Sequence, residues 1–301
     1  MKNHMIMRKL IIFLAVLAVA CTEKIDILDD SKDPVLFPSD KLDQPVTEGT
    51  YTGYVYSYGF CNEPFFWHQF TDYQQRIDLF QIPDEAMHEL TTEGLSQSCM
   101  YYPLRYDMWA FDHALVFIRY LIEVYNGLNE LARRAYGPAA LLKLYERMKL
   151  ADPENDDEKE GLEYDKDINL PWCFQDRNYL EALLSSEFFT PNMTAKELKR
   201  LADAIKEKVD DIATRDLHSY QIGYAFPYSV LCRILLIRAE REMIELTENE
   251  KEQLTLYIET SGTPHFEAEK TYEIVKETLR MISRYFPEMY ILPLDKIFVM
   301  Q

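Results

Sequence analysis

Glycine is scarce in this chain, nine residues in 301. No glycine-rich loop that would cradle a phosphate is present. Histidine is also sparse, and the five beyond the first twenty residues (His68, His88, His113, His218 and His265) are never paired at a metal-ligand spacing. Glu85 and His88 form one Glu-x-x-His half of a di-iron ligand set, but no second copy exists, and such sites need two. His88-Glu89-Leu90-Thr91-Thr92 lacks the second histidine of a zinc-protease helix. Gly94-Leu95-Ser96-Gln97-Ser98 lacks the second glycine of a nucleophile elbow. No metal and no cofactor is therefore expected. Basic side chains are outnumbered, 32 against 51 acidic, for a formal net charge of −19. Such a charge repels phosphate backbones, so nucleic acid is not an expected partner. Strand signals are few, and no repeat of fixed period is found.

What the chain does have begins at its first residues. Lys2, Arg8 and Lys9 precede an apolar run from Leu10 to Leu17, which closes in Ala18-Val19-Ala20-Cys21. The run is too short for a permanent bilayer span and ends in small residues, as a bacterial secretion signal does. A cysteine at the cut marks a lipoprotein, with Cys21 carrying the acyl lipid. Lipoprotein signals usually place Leu where this chain has Ala18, so ordinary cleavage to a soluble mature chain is the alternative. Residues 1–20 are read as the signal and 21–50 as a flexible tether, because Asp, Ser, Pro and Lys there bury too little surface to offset ordering entropy. Loss of Lys2, Arg8 and Lys9 takes the net charge to −22. The location implied is the outer membrane, on the cell surface or the periplasmic face, held through the lipid.

Residues 51–301 read as a single helical domain, with possible halves 51–150 and 172–301 around an acidic loop. The apolar spacing of Phe70, Tyr73, Ile77 and Phe80 places one face of a helix, and Pro83 ends it, with Asp84 as the next cap. A long central helix is predicted from Asp107 to Arg134, with two apolar stripes and therefore neighbours on several sides. Thr194 with Glu197 and Thr247 with Glu250 are capping boxes. A mostly buried helix is predicted from Tyr228 to Leu246, with Arg238/Glu242 and Arg241/Glu245 paired a turn apart. A last long helix carries Ala268, Tyr272, Val275, Leu279, Ile282 and Phe286. The expected fold is all-α: an irregular multi-helix bundle, or a short curved stack of helical hairpins, with an extended N-terminal arm around Tyr54–Phe60. The acidic run at residues 152–158 lacks the order of a calcium loop and reads as a solvated connection.

Beyond Cys21 four cysteines remain. Cys232 lies in an apolar run and reads as a buried thiol. Cys61 and Cys173 lie in non-periodic segments and are the candidates for a disulfide in an exported protein. Cys99 with His113 is the one nucleophile–base pairing the sequence leaves open. An aromatic cluster gives the candidate ligand contacts: Tyr54, Tyr56, Tyr58 and Trp67, with Tyr51, Phe60, Phe65 and Phe66 beside them. Such rings stack on sugars or on apolar peptide side chains, or else pin the arm to the helical body.

The stretch Thr91-Thr92-Glu93-Gly94-Leu95-Ser96-Gln97-Ser98-Cys99-Met100-Tyr101-Tyr102-Pro103-Leu104 resembles a stretch recurring in uncharacterised predicted lipoproteins of Bacteroidetes. Tyr125-Asn126-Gly127-Leu128-Asn129-Glu130-Leu131 and Leu141-Leu142-Lys143-Leu144-Tyr145 add to it. The resemblance spans mainly residues 83–148 and implies a helical exported protein, with no activity attached to any residue. The sequence thus points to a lipid-anchored envelope protein, a non-enzymatic binding or scaffold module for protein, peptide or glycan. The alternative is an exported hydrolase whose catalytic groups are scattered along the chain.

Overall fold

In the computed structural model, residues 50–51, 55–58, 73–111, 113–148, 174–213, 225–260 and 268–291 are described. Among them are eleven α-helices and two 3-10 helices, and the fold is all-α. In chain order the α-helices are α1 Tyr73–Leu79, α2 Asp84–Glu89, α3 Thr92–Met100, α4 Ala114–Val124, α5 Asn126–Arg133, α6 Gly137–Arg147, α7 Phe174–Ser185, α8 Ala195–Ala213, α9 Ala225–Glu240, α10 Glu248–Thr260 and α11 Ala268–Tyr285. A 3-10 helix, Pro103–Ala110, links α3 to α4.

The arm does find a strand partner, just upstream of itself. β1 (Thr50–Tyr51) pairs antiparallel with β2 (Tyr56–Ser57), with Tyr51 opposite Tyr56. Two residues per strand carry little stability alone. The ladder is fixed from beneath by α3, where Ser98 Oγ accepts the Tyr56 N–H at 2.8 Å. Ser98 donates in turn to the Gly94 carbonyl, so a buried hydroxyl is satisfied on both sides.

The predicted long helix 107–134 is three pieces. The chain is 3-10 up to Ala110, α4 begins after His113, and Tyr125 stands between α4 and α5 in extended geometry (φ −105°, ψ 112°). The interruption at Tyr125 is stabilised from a distance. Gln81 donates to the Val124 carbonyl at 2.9 Å and accepts the Asn126 N–H at 2.8 Å. Asn126 accepts the Ile82 N–H at 2.9 Å and donates to the Ile82 carbonyl at 2.7 Å. Two backbone groups that a continuous helix would pair internally are paired by the Gln81 side-chain amide instead, while the Asn126 amide pairs the Ile82 backbone beside them. The two apolar stripes are nevertheless central: Leu115, Ile118, Phe117, Leu121, Leu128 and Leu131 are all buried.

The ends of other helices explain themselves locally. Thr194 and Glu197 cap α8, and Thr247 and Glu250 cap α10, by reciprocal hydrogen bonds. Asp84 is the first helical residue of α2 rather than its cap; Pro83 occupies the cap position, with no side-chain hydrogen bond. Arg134 closes the far end of α2 by donating to the Met87 and Leu90 carbonyls. α9 stops at Glu240, six residues short of the predicted Leu246. Its end is a turn in which Met243 N–H reaches back to the Arg238 carbonyl at 2.8 Å, with Glu242 at φ 57°. The expected helical pairs Arg238/Glu242 and Arg241/Glu245 therefore do not form as such, and Arg241 donates to the Pro191 carbonyl. In α11, Val275, Leu279 and Ile282 face the core, whereas Tyr272 is 41% exposed.

One continuous core joins the two expected halves, from Tyr56 to Met289. α7 lies at its centre, packed on α9, α4, α6 and the 103–110 helix; α9 packs in turn on α10 and α11. The described residues belong to one compact unit, Pro34–Gln301. No described helix is long and apolar enough to cross a membrane. The expected signal at 1–20, the expected tether with Cys21 up to residue 49 and the acidic stretch 151–171 lie outside the described residues, whereas Thr50, read as the end of the tether, stands in β1.

Candidate functional site

The aromatic residues singled out in the sequence separate. Tyr54 and Trp67 lie outside the described residues. Tyr56 and Tyr58 are inside the core, 5% and 2% exposed. Their rings meet edge to face at 5.0 Å, and Tyr58 packs on Phe80 and Tyr102. These two residues therefore leave the proposed ligand strip and pin the arm to the body, because rings with no exposed face present nothing to a ligand. Cys61 and Cys173 also lie outside the described residues. Cys99 and Cys232 are buried free thiols. Burial pushes Cys99 up to about 12, and its sulfur receives a hydrogen bond from Tyr125 Oη at 3.8 Å. The hydrogen bond to Cys99 thus comes from Tyr125 and not from His113, whose Nδ1 has no hydrogen-bond partner. A thiol held neutral in this way is a poor nucleophile. Among the described residues no cluster of three or more His, Cys, Asp or Glu is placed to hold a metal.

One set of aromatic and polar groups at the surface lies on the 103–110 helix. Pro103 opens it, where a missing N–H costs nothing. In 3-10 geometry residues three apart eclipse, so Tyr106 and Trp109 share one face and Leu104 and Asp107 the next. Leu104 is buried and anchors the segment, while Trp109 is 42% exposed. Trp109 meets Phe226 of α9 edge-on at 6.0 Å. Below Tyr106 the Arg105 guanidinium lies 4.1 Å from the ring centroid. Arg105 Nε donates to Asp176 Oδ1 of α7 at 2.9 Å, and Tyr106 Oη donates to the same oxygen at 2.8 Å. Both charged side chains are mostly covered, 16% and 10% exposed, so the pair is rigid and only partly screened.

The other side of the helix is built around Asp107. Tyr73 Oη donates to Asp107 Oδ2 at 3.0 Å. The Tyr73 and Tyr120 rings stack at 6.3 Å, and Phe111 lies 5.7 Å from Tyr120. Burial raises the Asp107 carboxyl above its ordinary value, against the Tyr73 hydrogen bond and the Arg76 charge. Behind it, Tyr102 is fully buried and stacks on Tyr125 at 4.0 Å. The Tyr102 hydroxyl has no hydrogen-bond partner, nor has that of the buried Tyr179.

A second polar centre lies deeper, between α6, α7 and α8. Tyr145 Oη donates to Glu181 Oε1 at 2.7 Å. Arg177 Nε stands 3.5 Å from Glu181 Oε2, an ion pair with both side chains at 0% exposure. Lys208 Nζ lies 4.9 Å from the Tyr145 ring centroid. Burial raises Glu181, opposed chiefly by the Arg177 charge, and burial lowers Lys208. With no exposed atom at Arg177 or Glu181, this cluster joins three helices rather than meeting a ligand.

No protein-family model, no curated protein and no solved structure matches the chain. The surface residues above were missed in the sequence because an α-helical reading of 107–134 scatters them. A period of three from Pro103 onward, with Trp109 among only three tryptophans, is the signal that collects them.

Proposed function

We propose that this protein is a lipid-anchored module of the cell envelope that captures a protein, peptide or glycan ligand on the surface of the 103–110 helix. The observation that carries the capture is Trp109, 42% exposed on the same short helix that presents Tyr106 and the mostly covered Arg105–Asp176 pair. An exposed indole costs solvation unless something covers it, and an aromatic face with fixed polar groups is the usual composition of a recognition surface. Anchoring is supported by the basic head, the short apolar run and Cys21, and by the resemblance of residues 83–148 to predicted lipoproteins of Bacteroidetes. The net charge of −19 favours a body held away from anionic headgroups by its tether.

Two measurements test this reading. Metabolic labelling with a palmitate analogue should mark the native chain and leave Cys21→Ser unlabelled and released from membranes. Labelling and sedimentation unchanged in Cys21→Ser would remove the anchor. Pull-down from native envelopes with wild type and with Trp109→Ala should differ in the captured material. Identical recoveries would remove the surface.

A further inference from the structure

Of the nine asparagines in the chain, Asn126 is the one followed by glycine. An asparagine in that position is chemically labile. The backbone nitrogen of the next residue can close a five-membered ring on its side-chain Cγ, and glycine, with no Cβ, hinders that closure least. The pair stands at the break between α4 and α5, where Asn126 is the first residue of α5 and Gly127 is buried. Packing leaves no room for a side chain at 127, since a Cβ there would strike the Tyr125 ring and Ile82. The fold thus requires the most reactive asparagine dipeptide at an interruption of its central helices.

Three restraints keep the pair from reacting in the closed state. The Asn126 amide is fixed at both atoms: Oδ1 accepts the Ile82 N–H at 2.9 Å, and Nδ2 donates to the Ile82 carbonyl at 2.7 Å. The Asn126 N–H is held by Gln81 Oε1 at 2.8 Å. Helical backbone at Asn126 turns the Gly127 nitrogen away from Cγ. All three depend on contact with residues 81 and 82.

We infer that Asn126–Gly127 is a site of spontaneous deamidation, held closed by the native break and released when residues 81 and 82 part from it. On opening, the Gly127 nitrogen gives its proton to hydroxide and attacks Asn126 Cγ. The bond from Cγ to the side-chain nitrogen breaks, and that nitrogen takes a proton from water and leaves as ammonia. Water then adds to either carbonyl of the resulting succinimide and opens the ring to aspartate or isoaspartate. The net reaction consumes one water and releases one ammonia, with no oxidant or enzyme. It runs one way. Aspartate keeps an acceptor for the Ile82 N–H but sets a carboxylate against the Ile82 carbonyl, and isoaspartate adds a methylene to the main chain where α5 starts. Neither product restores the donor to that carbonyl, so each opening that ends in reaction leaves the break permanently weakened.

The test incubates the full chain in mildly alkaline buffer, native or unfolded in guanidinium chloride. Peptide mapping follows the mass gain at Asn126, with fragmentation that separates aspartate from isoaspartate. The unfolded chain should convert to both products, and the native chain should convert roughly 100-fold more slowly or less, because only the open state reacts. Gln81→Ala removes the Gln81 hydrogen bonds to Val124 and Asn126 and leaves the reacting pair intact. It should speed native conversion roughly tenfold. Thr194→Ala removes the cap of α8, which packs on α6 and α9, and should leave the native rate unchanged. The aspartate product should melt with Asn126→Asp. Equal rates in native and unfolded chains would overturn the inference, as would an Asn126 that stays intact when unfolded. So would a Thr194→Ala rate raised as much as that of Gln81→Ala, since global unfolding rather than the break would then expose the pair. Should Gln81→Ala not fold, Gln81→Glu, which keeps the acceptor for Asn126 and loses the donor to Val124, takes its place with the same two outcomes.

Discussion

The hydroxyls of Tyr58 and Tyr125 hydrogen-bond to each other inside the core, 67 positions apart in the chain. Tyr125 in turn donates to Cys99 Sγ. This short relay ties the N-terminal arm to the break between α4 and α5 and to the last turn of α3. Tyr58→Phe keeps the ring packing and deletes the first link. Urea unfolding of Tyr58→Phe should show a loss of about 1–2 kcal/mol relative to wild type. A loss below a few tenths would mean the hydroxyl pair contributes nothing net.

Asn126 holds the same break from the other side through both backbone groups of Ile82. Ile82 is buried, so water is a poor substitute partner there. Asn126→Ala should cost about 2–3 kcal/mol by the same measurement, and Asn126→Asp, which keeps the acceptor and loses the donor to the Ile82 carbonyl, an intermediate amount.

Two glycines stand where a side chain has no room. A Cβ at Gly127 would strike the Tyr125 ring and Ile82, and one at Gly137 would strike the Leu131 backbone carbonyl. Alanine at either site should destabilise by about 1–3 kcal/mol. The larger effect is expected at Gly137, because the obstacle is backbone, which yields less readily than a side chain. Thermal melts of the two single variants rank them directly.

Glu242 adopts φ 57° at the end of α9, on the surface. This is the left-handed region, where a Cβ is penalised and glycine is not. Glu242→Gly should therefore stabilise the protein, by about 0.5–1 kcal/mol after the entropy that glycine adds to the unfolded chain. A destabilised Glu242→Gly would show that its carboxylate makes an offsetting contribution.

Glu250 is held below its ordinary value of 4.5, first by the Thr247 N–H and then by Arg284. The folded state thus binds its proton less readily than the unfolded state does. The stability this contributes is present above pH 4.5 and is lost as pH falls through the lowered folded value. Wild type should melt above Glu250→Gln at neutral pH, and the gap should close on acidification below about pH 4. A gap that stays constant down to pH 3 would assign the difference to something other than the charge.

Local chemistry was legible in the sequence where both partners lie within one turn and the helix that carries them persists, which it does not at Arg238/Glu242 and Arg241/Glu245. The capping boxes at Thr194/Glu197 and Thr247/Glu250 form as read, since each needs only residues three apart. Cys232 and the apolar stripes of 115–131 are buried as their periodicity implies. The break at Tyr125 was not legible, because the groups that stabilise it belong to Gln81 and Asn126, 45 positions apart. The same holds for the aromatic arm: alternation around Tyr56 and Tyr58 is visible, but only the fold shows which rings are covered.

The helical class and the main apolar faces follow from the sequence by itself, because periodicity and composition act through near neighbours. Where helices stop, which tyrosines are buried and which face the solvent, and the pairing of Tyr73 with Asp107 were decided by tertiary packing. Those outcomes depend on contacts between residues distant in the chain, and such contacts outweigh local preference once the core closes around them.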